Sequence, residues 1–247
     1  MPDTFKLTAQ DVDIWQVHLV AQEKTILQCR GLLSEDELQR AGRFYFERDR
    51  KRFIIARAAM RSILAQYVES TAQQLTFIYG EKGKPELARP HATGIKFNLS
   101  HSNEFALLAI AHNACLGIDI EFIKDDFAAH DIATRFFSPN EVSTFLKVAD
   151  SERARAFFHC WTRKEAYIKA VGEGLSIPLD SFDVAFGPGV QACLLNVKTS
   201  PDEPARWSMY DLAAPPRYAA ALVIEGKEHR IRRRNWGADF QFQVETP

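Results

Sequence analysis

The most restrictive feature of this chain is a repeat. "LLSEDEL" (Leu32 to Leu38) and "FFSPNEV" (Phe136 to Val142) lie about a hundred residues apart, and each sets a serine three residues before a glutamate. In that spacing the serine oxygen accepts from the backbone of the third helical residue, while the glutamate accepts from the serine's own N–H, so each block starts a helix. Leu33 and Leu38 have the spacing of a hydrophobic staple, and Pro139 suits a first helical position. A long amphipathic stretch follows each start: "DRKRFIIARAAMRSILAQYV" from Asp49 and "ERARAFFHCWTRKEAYIKAV" from Glu152. Each half then closes on an apolar strand, "FALLAIA" from Phe105 and "RYAAALVIEG" from Arg217. A period this long is no solenoid. It predicts an α+β fold of two similar lobes, residues 1–114 and 115–247, related by an internal pseudo-twofold duplication, each a small sheet covered by helices.

Alternation in "VDIWQVHLV" predicts a strand from Val12, "LTFIYG" a further strand, "EKGKPEL" a turn, and "IKFNLSHS" the partner of "FALLAIA". "FDVAF" supplies a strand of the second half. At 247 residues either lobe can bury a core, and 46% hydrophobic with 26% charged residues is ordinary globular composition. The net charge of −1 points to neither nucleic acid nor membrane. The basic runs Arg48 to Arg61 and "RIRRR" (Arg230 to Arg234) read as solvated faces before anion sites. Cys29, Cys115, Cys160 and Cys193 form no C-x-x-C pair, which argues against zinc and predicts free thiols. The first residues lack a signal-peptide pattern and "FALLAIA" is too short to span a bilayer, so a cytoplasmic protein is expected.

Against this background three carboxylates are misplaced. "GIDIE" (Gly117 to Glu121) puts Asp119 and Glu121 on one face of a strand, leaving Ile118 and Ile120 for the core. They are either solvated acids at a strand end or a pair of ligands. On the second long helix, at 100° per residue with Phe158 at 0°, Glu165 falls at about 340°, between Trp161 at about 300° and the origin, and Lys169 at about 20°. Glu165 thus stands in the apolar stripe, either paired with Lys169 one turn on or bound to a metal, since a lone buried carboxylate is prohibitive. Three acids without His or Cys suit a hard cation, Mg²⁺ before others, with phosphates completing its shell. A junction between lobes is a favoured place for such a site.

Cations for a phosphate ligand are at hand. Lys84 stands in the stiff turn Gly83-Lys84-Pro85; Ser100 and His101 end a strand, as structural residues or phosphate donors; and Arg40, Arg52 and Arg61 lie on first-lobe helices, reaching a cleft or simply solvated. Ser100-His101 is no hydrolase pair, because strand neighbours face opposite ways and no G-x-S-x-G occurs. Neither a P-loop nor G-x-G-x-x-G is present.

Taken in order, "GKP", "FNLSHS", "GIDIE", "RFFSPNE" and "WTRKEAYIKAVGEGLSIPLDSF" resemble the Sfp-type 4′-phosphopantetheinyl transferases from the Ser34 helix to about Phe186. The resemblance implies two α+β lobes and an enzyme that moves the phosphopantetheine arm of coenzyme A onto a serine of an apo acyl, peptidyl or polyketide carrier protein. Adenosine 3′,5′-bisphosphate is the product released. It further implies Asp119, Glu121 and Glu165 as ligands of Mg²⁺ or Mn²⁺. Lys169 is implied beside the reacting phosphate, Glu165 being the candidate base. Ser100, His101, Arg40 and Arg52 fall to the coenzyme A phosphates, and Gly83, Lys84 and Pro85 to its adenine side. Glu37 departs from relatives that carry a lysine there. Phe136 and Phe137 are either core or a ledge for the carrier. A monomer is expected, with coenzyme A and carriers as its partners. A metal-dependent phosphodiesterase and a non-catalytic coenzyme A-binding module are the rival readings.

Overall fold

A computed structural model of the chain describes residues 5–92, 94–125, 128–237 and 242–244. The first compact unit is formed by residues 1–113 with 230–247, the second by 114–229.

In the first unit the order is β1 (Asp11–His18), α1 (Glu23–Arg30), α2 (Glu35–Gly42), α3 (Glu47–Tyr67), β2 (Phe77–Tyr79), β3 (Pro85–Leu87), β4 (Ile95–Ser102) and β5 (Phe105–His112). The second unit runs β6 (Leu116–Phe122), α4 (Ala129–Phe136), α5 (Pro139–Leu146), α6 (Asp150–Val171), β7 (Phe182–Val184), β8 (Leu194–Val197), α7 (Glu203–Arg206), β9 (Trp207–Asp211) and β10 (Tyr218–Glu225). The plan is the same twice. A first strand, three helices ending in a long one, and a two-stranded ribbon precede two strands that complete a sheet. The sheets contain β1-β5-β4 and β6-β10-β9 in matching order, and the ribbons are β2-β3 and β7-β8.

The chain then leaves this plan. β11 (Arg230–Trp236) lies parallel to β1, and β12 (Phe242–Val244) pairs with β11, giving the first unit a five-stranded sheet β12-β11-β1-β5-β4. The expected second lobe extends to residue 247; the segment from Arg230 on belongs to the first unit instead. "RIRRR" is not simply a solvated face either. Asp11 and Asp13 of β1 are buried, and Arg230 Nε donates to Asp11 at 2.7 Å, Arg232 Nε to Asp13 at 2.6 Å and Arg234 Nε to Asp13 at 3.0 Å. Buried carboxylates need such partners, so the basic strand is recruited to the sheet. Tyr67 of α3 also donates to Asp13, at 2.5 Å.

Both capping boxes form, at Ser34/Glu37 and Ser138/Glu141. Their glutamates do more than cap. Glu37 is buried and takes the guanidinium groups of Arg57 and Arg61, the latter at 2.6 Å. Glu141 takes Lys164 Nζ at 2.7 Å and the Val184 backbone N–H at 2.8 Å. In each unit, therefore, one buried carboxylate fixes a short capped helix to the long helix behind it. Arg61 is committed to this core role rather than to a ligand. Glu141's carboxyl is pushed above its ordinary range by burial, which Lys164 and the backbone donors oppose.

The cores follow the sheets. Trp15, Val17, Leu108 and Ile110 meet Ile55, Met60 and Ile63 in the first unit. Phe137, Phe145, Phe157 and Phe182 cluster in the second, with Phe137 stacked on Phe157 at 5.1 Å. Phe137 is thus a core residue, whereas Phe136 is half-buried against Trp161. All four cysteines are free thiols. No helix among the described residues is long and apolar enough to cross a membrane.

Lys164 is 0% and Glu141 2% exposed. Lys164→Met is expected to destabilise the second unit by roughly 3–5 kcal/mol, because it strands a buried charge. Adding Glu141→Gln should restore part of that loss. Urea unfolding of the two variants checks this; a double variant less stable than the single one would contradict the pairing.

Candidate active site

The second unit gathers the misplaced acids through a single close approach. A Cβ on Gly117 would fall 2.7 Å from the carbonyl carbon of Lys169 and nearer still to Ala166 O and Ala170 N. Only glycine allows the backbone of α6 to rest on β6 there. Position 117 shares its face of the strand with 119 and 121, so the face under α6 is the one that carries the acids. Across the ladder their neighbours on β10 are small: Asp119 faces Ala221 and Glu121 faces Ala219. Ile118 and Ile120 are fully buried on the opposite face. The isoleucines are buried, as the alternation predicts, and the acids share the other face, which is the one α6 covers.

Asp119 is 2% exposed, and Lys169 Nζ donates to its Oδ1 at 2.6 Å. Lys169 is thus bonded across to the strand rather than only sharing the helix surface with Glu165. Glu165 is half-buried one turn earlier on the same helix. Burial raises its carboxyl above the usual range; Lys169 opposes that rise and Asp119 adds to it. Asp119, Lys169 and Glu165 therefore form one electrostatic group, with Glu121 half-buried two residues farther along β6. Among the described residues no set of three or more His, Cys, Asp or Glu side chains is arranged to hold a metal ion. Cationic charge nevertheless sits at Asp119, in the form of the Lys169 ammonium. Asp119 bonds it directly and Glu165 is coupled to it through space, and carboxylate oxygens are the chemistry a hard divalent ion selects. The set fits such an ion in donor chemistry, not in the arrangement of the described side chains.

The remaining candidates lie in the first unit, in two places. β4 ends in a hairpin with Asn103 at φ 49°, and Arg52 Nη2 donates to Asn103 Oδ1 at 2.8 Å. This brings Arg52 to the end of β4 that carries Ser100, which is buried, and His101, which is exposed. The second place surrounds α2. Arg40 lies over the Phe53 ring at 5.4 Å and, with Arg43, Arg57, Phe44 and Tyr79, lines a cavity of about 610 Å³. Tyr79 ends β2, and Gly80 to Pro85 turns the chain into β3. Gly83, at φ 78°, donates to Gly80 O at 2.8 Å, and Gly80 donates to Lys84 O at 3.0 Å. Pro85 opens β3 opposite Tyr79. Glu37, buried beneath this cavity, is occupied with Arg57 and Arg61.

Sequence reasoning missed the buried residues on the other sides of α6. Arg163 and Lys164 are both buried, although a helical wheel with one apolar stripe places them toward solvent. Their carboxylate partners, Asp211 and Glu141, lie far away in sequence.

Two family models cover most of this architecture. Residues 115–223 match the 4′-phosphopantetheinyl transferase superfamily, and residues 20–113 match the N-terminal model of 4′-phosphopantetheinyl transferase. The chain is 35% identical to 4′-phosphopantetheinyl transferase HetI of Nostoc sp. over 226 residues, 91% of this chain and 92% of that protein. It is 33% identical to psf-1 of Bacillus pumilus over 81% of this chain and 82% of that one. Identity to Sfp of Bacillus subtilis is 35%, over 62% and 66% respectively. The holo-[acyl-carrier-protein] synthase structure of Thermotoga maritima overlaps 47% of this chain and 63% of its own, at TM-score 0.33 and 22% identity, too partial an overlap to define the fold. The chain belongs to the 4′-phosphopantetheinyl transferase family. It is an enzyme that transfers the phosphopantetheine group to carrier proteins, which displaces the phosphodiesterase and binding-module readings.

Gly117→Ala should separate α6 from β6 and with it Lys169 from Asp119. A displacement near 1 Å can cost on the order of 10²-fold in rate. Gly172, the C-cap of α6 at φ 87°, has nothing within 4 Å of where an added methyl group would stand. Gly172→Ala should lower stability by about 1 kcal/mol with transfer nearly unchanged. Carrier loading followed beside thermal unfolding separates the two; equal rate losses would remove the special role of Gly117.

Proposed function

We propose that coenzyme A is the donor and that Mg²⁺, with Mn²⁺ as a substitute, is held by Asp119, Glu121 and Glu165. The observation that carries this reading is the Asp119–Lys169–Glu165 group, a set of charges placed on the inner face of a strand and beside an otherwise apolar helix stripe. When bound, the ion neutralises charge on the diphosphate. Lys169 shifts its ammonium from Asp119 to an oxygen of the transferring phosphoryl group, stabilising it as charge moves. Glu165 takes the proton of the carrier serine. A carboxylate whose pKa is raised by burial is a stronger base than an exposed one, which suits that task. The serine oxygen bonds to the phosphorus that bears the pantetheine arm as the bond from that phosphorus to the bridging oxygen breaks. Adenosine 3′,5′-bisphosphate leaves.

Residues of the first unit serve binding. Ser100, His101 and Arg52 meet the coenzyme A phosphates, His101 and Arg52 being the groups suited to the 3′-phosphate. Arg40 adds a further cation, and Gly83, Lys84 and Pro85 support the adenine. The partner is an apo acyl, peptidyl or polyketide carrier protein, and the enzyme works as a monomer in the cytoplasm. Phe136, half-buried beside Arg135, is the residue of the pair Phe136-Phe137 left for a carrier ledge.

The test is direct: the protein is incubated with coenzyme A, Mg²⁺ and a panel of apo-carriers, and intact masses are read. At least one carrier should gain a single phosphopantetheine arm. Glu165→Gln should lose about 10²–10⁴-fold in rate, the range for a general base. Saturating Mg²⁺ should rescue Asp119→Asn and Glu121→Gln better than Glu165→Gln. Equal rescue of all three would make Glu165 a ligand alone.

His101→Ala should weaken coenzyme A by about 1.5–3 kcal/mol, the worth of a charge-assisted hydrogen bond. Binding of 3′-dephospho-coenzyme A should change far less. Calorimetry with both ligands decides, and an equal loss would move His101 away from the 3′-phosphate.

A further inference from the structure

The second unit has a polar cavity whose lining includes none of the residues given a role in the transfer. About 420 Å³ in volume, it lies between α6 and the loop from Gly187 to Val190, with Asp211 at the end of β9. Five charged or titratable side chains line it: Glu152, Arg155, His159, Arg163 and Asp211. The first four share one stripe of α6, at spacings of three and four residues.

Two of the five neutralise each other. Arg163 is buried, and its Nε and Nη2 donate to the two oxygens of Asp211 at 2.9 and 2.5 Å, while Nη1 donates to Ala185 O. A fork of this kind is rigid. Burial alone would raise the carboxyl of Asp211, yet His159 and Arg163 beside it hold it below the ordinary range. His159 stands next in the row. Its Nδ1 lies 3.9 Å from Asp211 Oδ1, is shielded from solvent and has no hydrogen-bond partner among the described residues. The ring thus stands beside Asp211 and borders the cavity. Arg155, one turn nearer the start of the helix, is exposed at the rim and makes no ion pair among the described residues. Glu152 is seven residues from His159, about 10 Å along the axis at 1.5 Å per residue. It borders the far end. Ala156, Pro188 and Val190 supply the apolar wall.

We propose that this cavity binds a small organic anion. Its charged oxygens lie between Arg155 and His159, and its apolar body rests on Ala156, Pro188 and Val190. Arg163 and Asp211 are positioning residues: they hold the floor rigid beneath the ring of His159. A guanidinium and an imidazole beside a neutralised pair select an oxyanion, and the apolar wall selects one with a carbon body over a bare ion.

Side-chain NMR of the full-length protein without coenzyme A tests this, with phenyl phosphate, inorganic phosphate and phenol as probes. The His159 ring signals are assigned by their loss in His159→Gln. Phenyl phosphate should shift them saturably and at lower concentration than inorganic phosphate, and phenol should leave them in place. Arg155→Ala, at an exposed position that leaves the fold intact, should weaken phenyl phosphate roughly ten-fold, the effect of one charge-assisted contact. Carrier loading by that variant should match the parent, so a failed transferase assay and a failed anion site are told apart. The proposal is overturned if the His159 signals show no saturable shift, if phenol shifts them as phenyl phosphate does, or if Arg155→Ala binds as the parent does.

Discussion

Everything distinctive about the second unit depends on how closely α6 lies on β6. A strand and a helix ordinarily stand apart by the thickness of their side chains. At Gly117 there is none, and the backbone of Ala166 to Ala170 fills the space. Two residues along the strand, Asp119 comes within reach of Lys169; one turn back along the helix, Glu165 feels both. The alanines of β10 opposite the acids keep that face low. Charges that water would otherwise screen are held in a poorly hydrated setting, where their interactions are strongest. The glycine is thus as much a part of the site as the carboxylates.

The two units use one plan for different ends. In both, a buried glutamate at the third position of a capped helix takes a cation from the long helix: Arg57 and Arg61 for Glu37, Lys164 for Glu141. Such pairs add little net stability over apolar residues, but they penalise any other register of the helices. In both, too, the first strand carries a buried aspartate on the side of its long helix. Asp13 is saturated by Tyr67 and two arginines of β11. Asp119 has Lys169, a flexible ammonium able to exchange partners. The first copy of the motif has become structural, and the second retains mobile charge.

The sequence carries the parts whose cause is local. Both capping boxes, the long helices and the β4–β5 hairpin follow from side chains a few residues apart, and the structure contains all of them. Helices α1 and α4 escape a reading of this kind because Gln22 and Ala128 precede them without a capping side chain. Their stability comes from tertiary contact. β11 reads as a charged surface because its partners, Asp11 and Asp13, lie more than two hundred residues away in the chain. The site is legible as a set of residues but not as an arrangement. Alternation shows that Asp119 and Glu121 share a face; which face α6 covers depends on Gly117, whose meaning emerges only once a helix lies over it. For the same reason the Lys169 bond to Asp119 is hidden behind the nearer Glu165.

The return of β11 to β1 also sets the order in which the molecule can be completed. During synthesis domains ordinarily finish from the N-terminal end onward. Here β1 to β5 emerge first, yet the arginines that neutralise Asp11 and Asp13 come only after the whole of residues 114–229 has been made. Until then two carboxylates destined for burial lack their cationic partners and are best left in water. The second unit is continuous in sequence and needs nothing that follows Glu225 to form its sheet. The half of the enzyme that is translated first is therefore the half that is finished last, and its closing strand is added when the other half can already be folded.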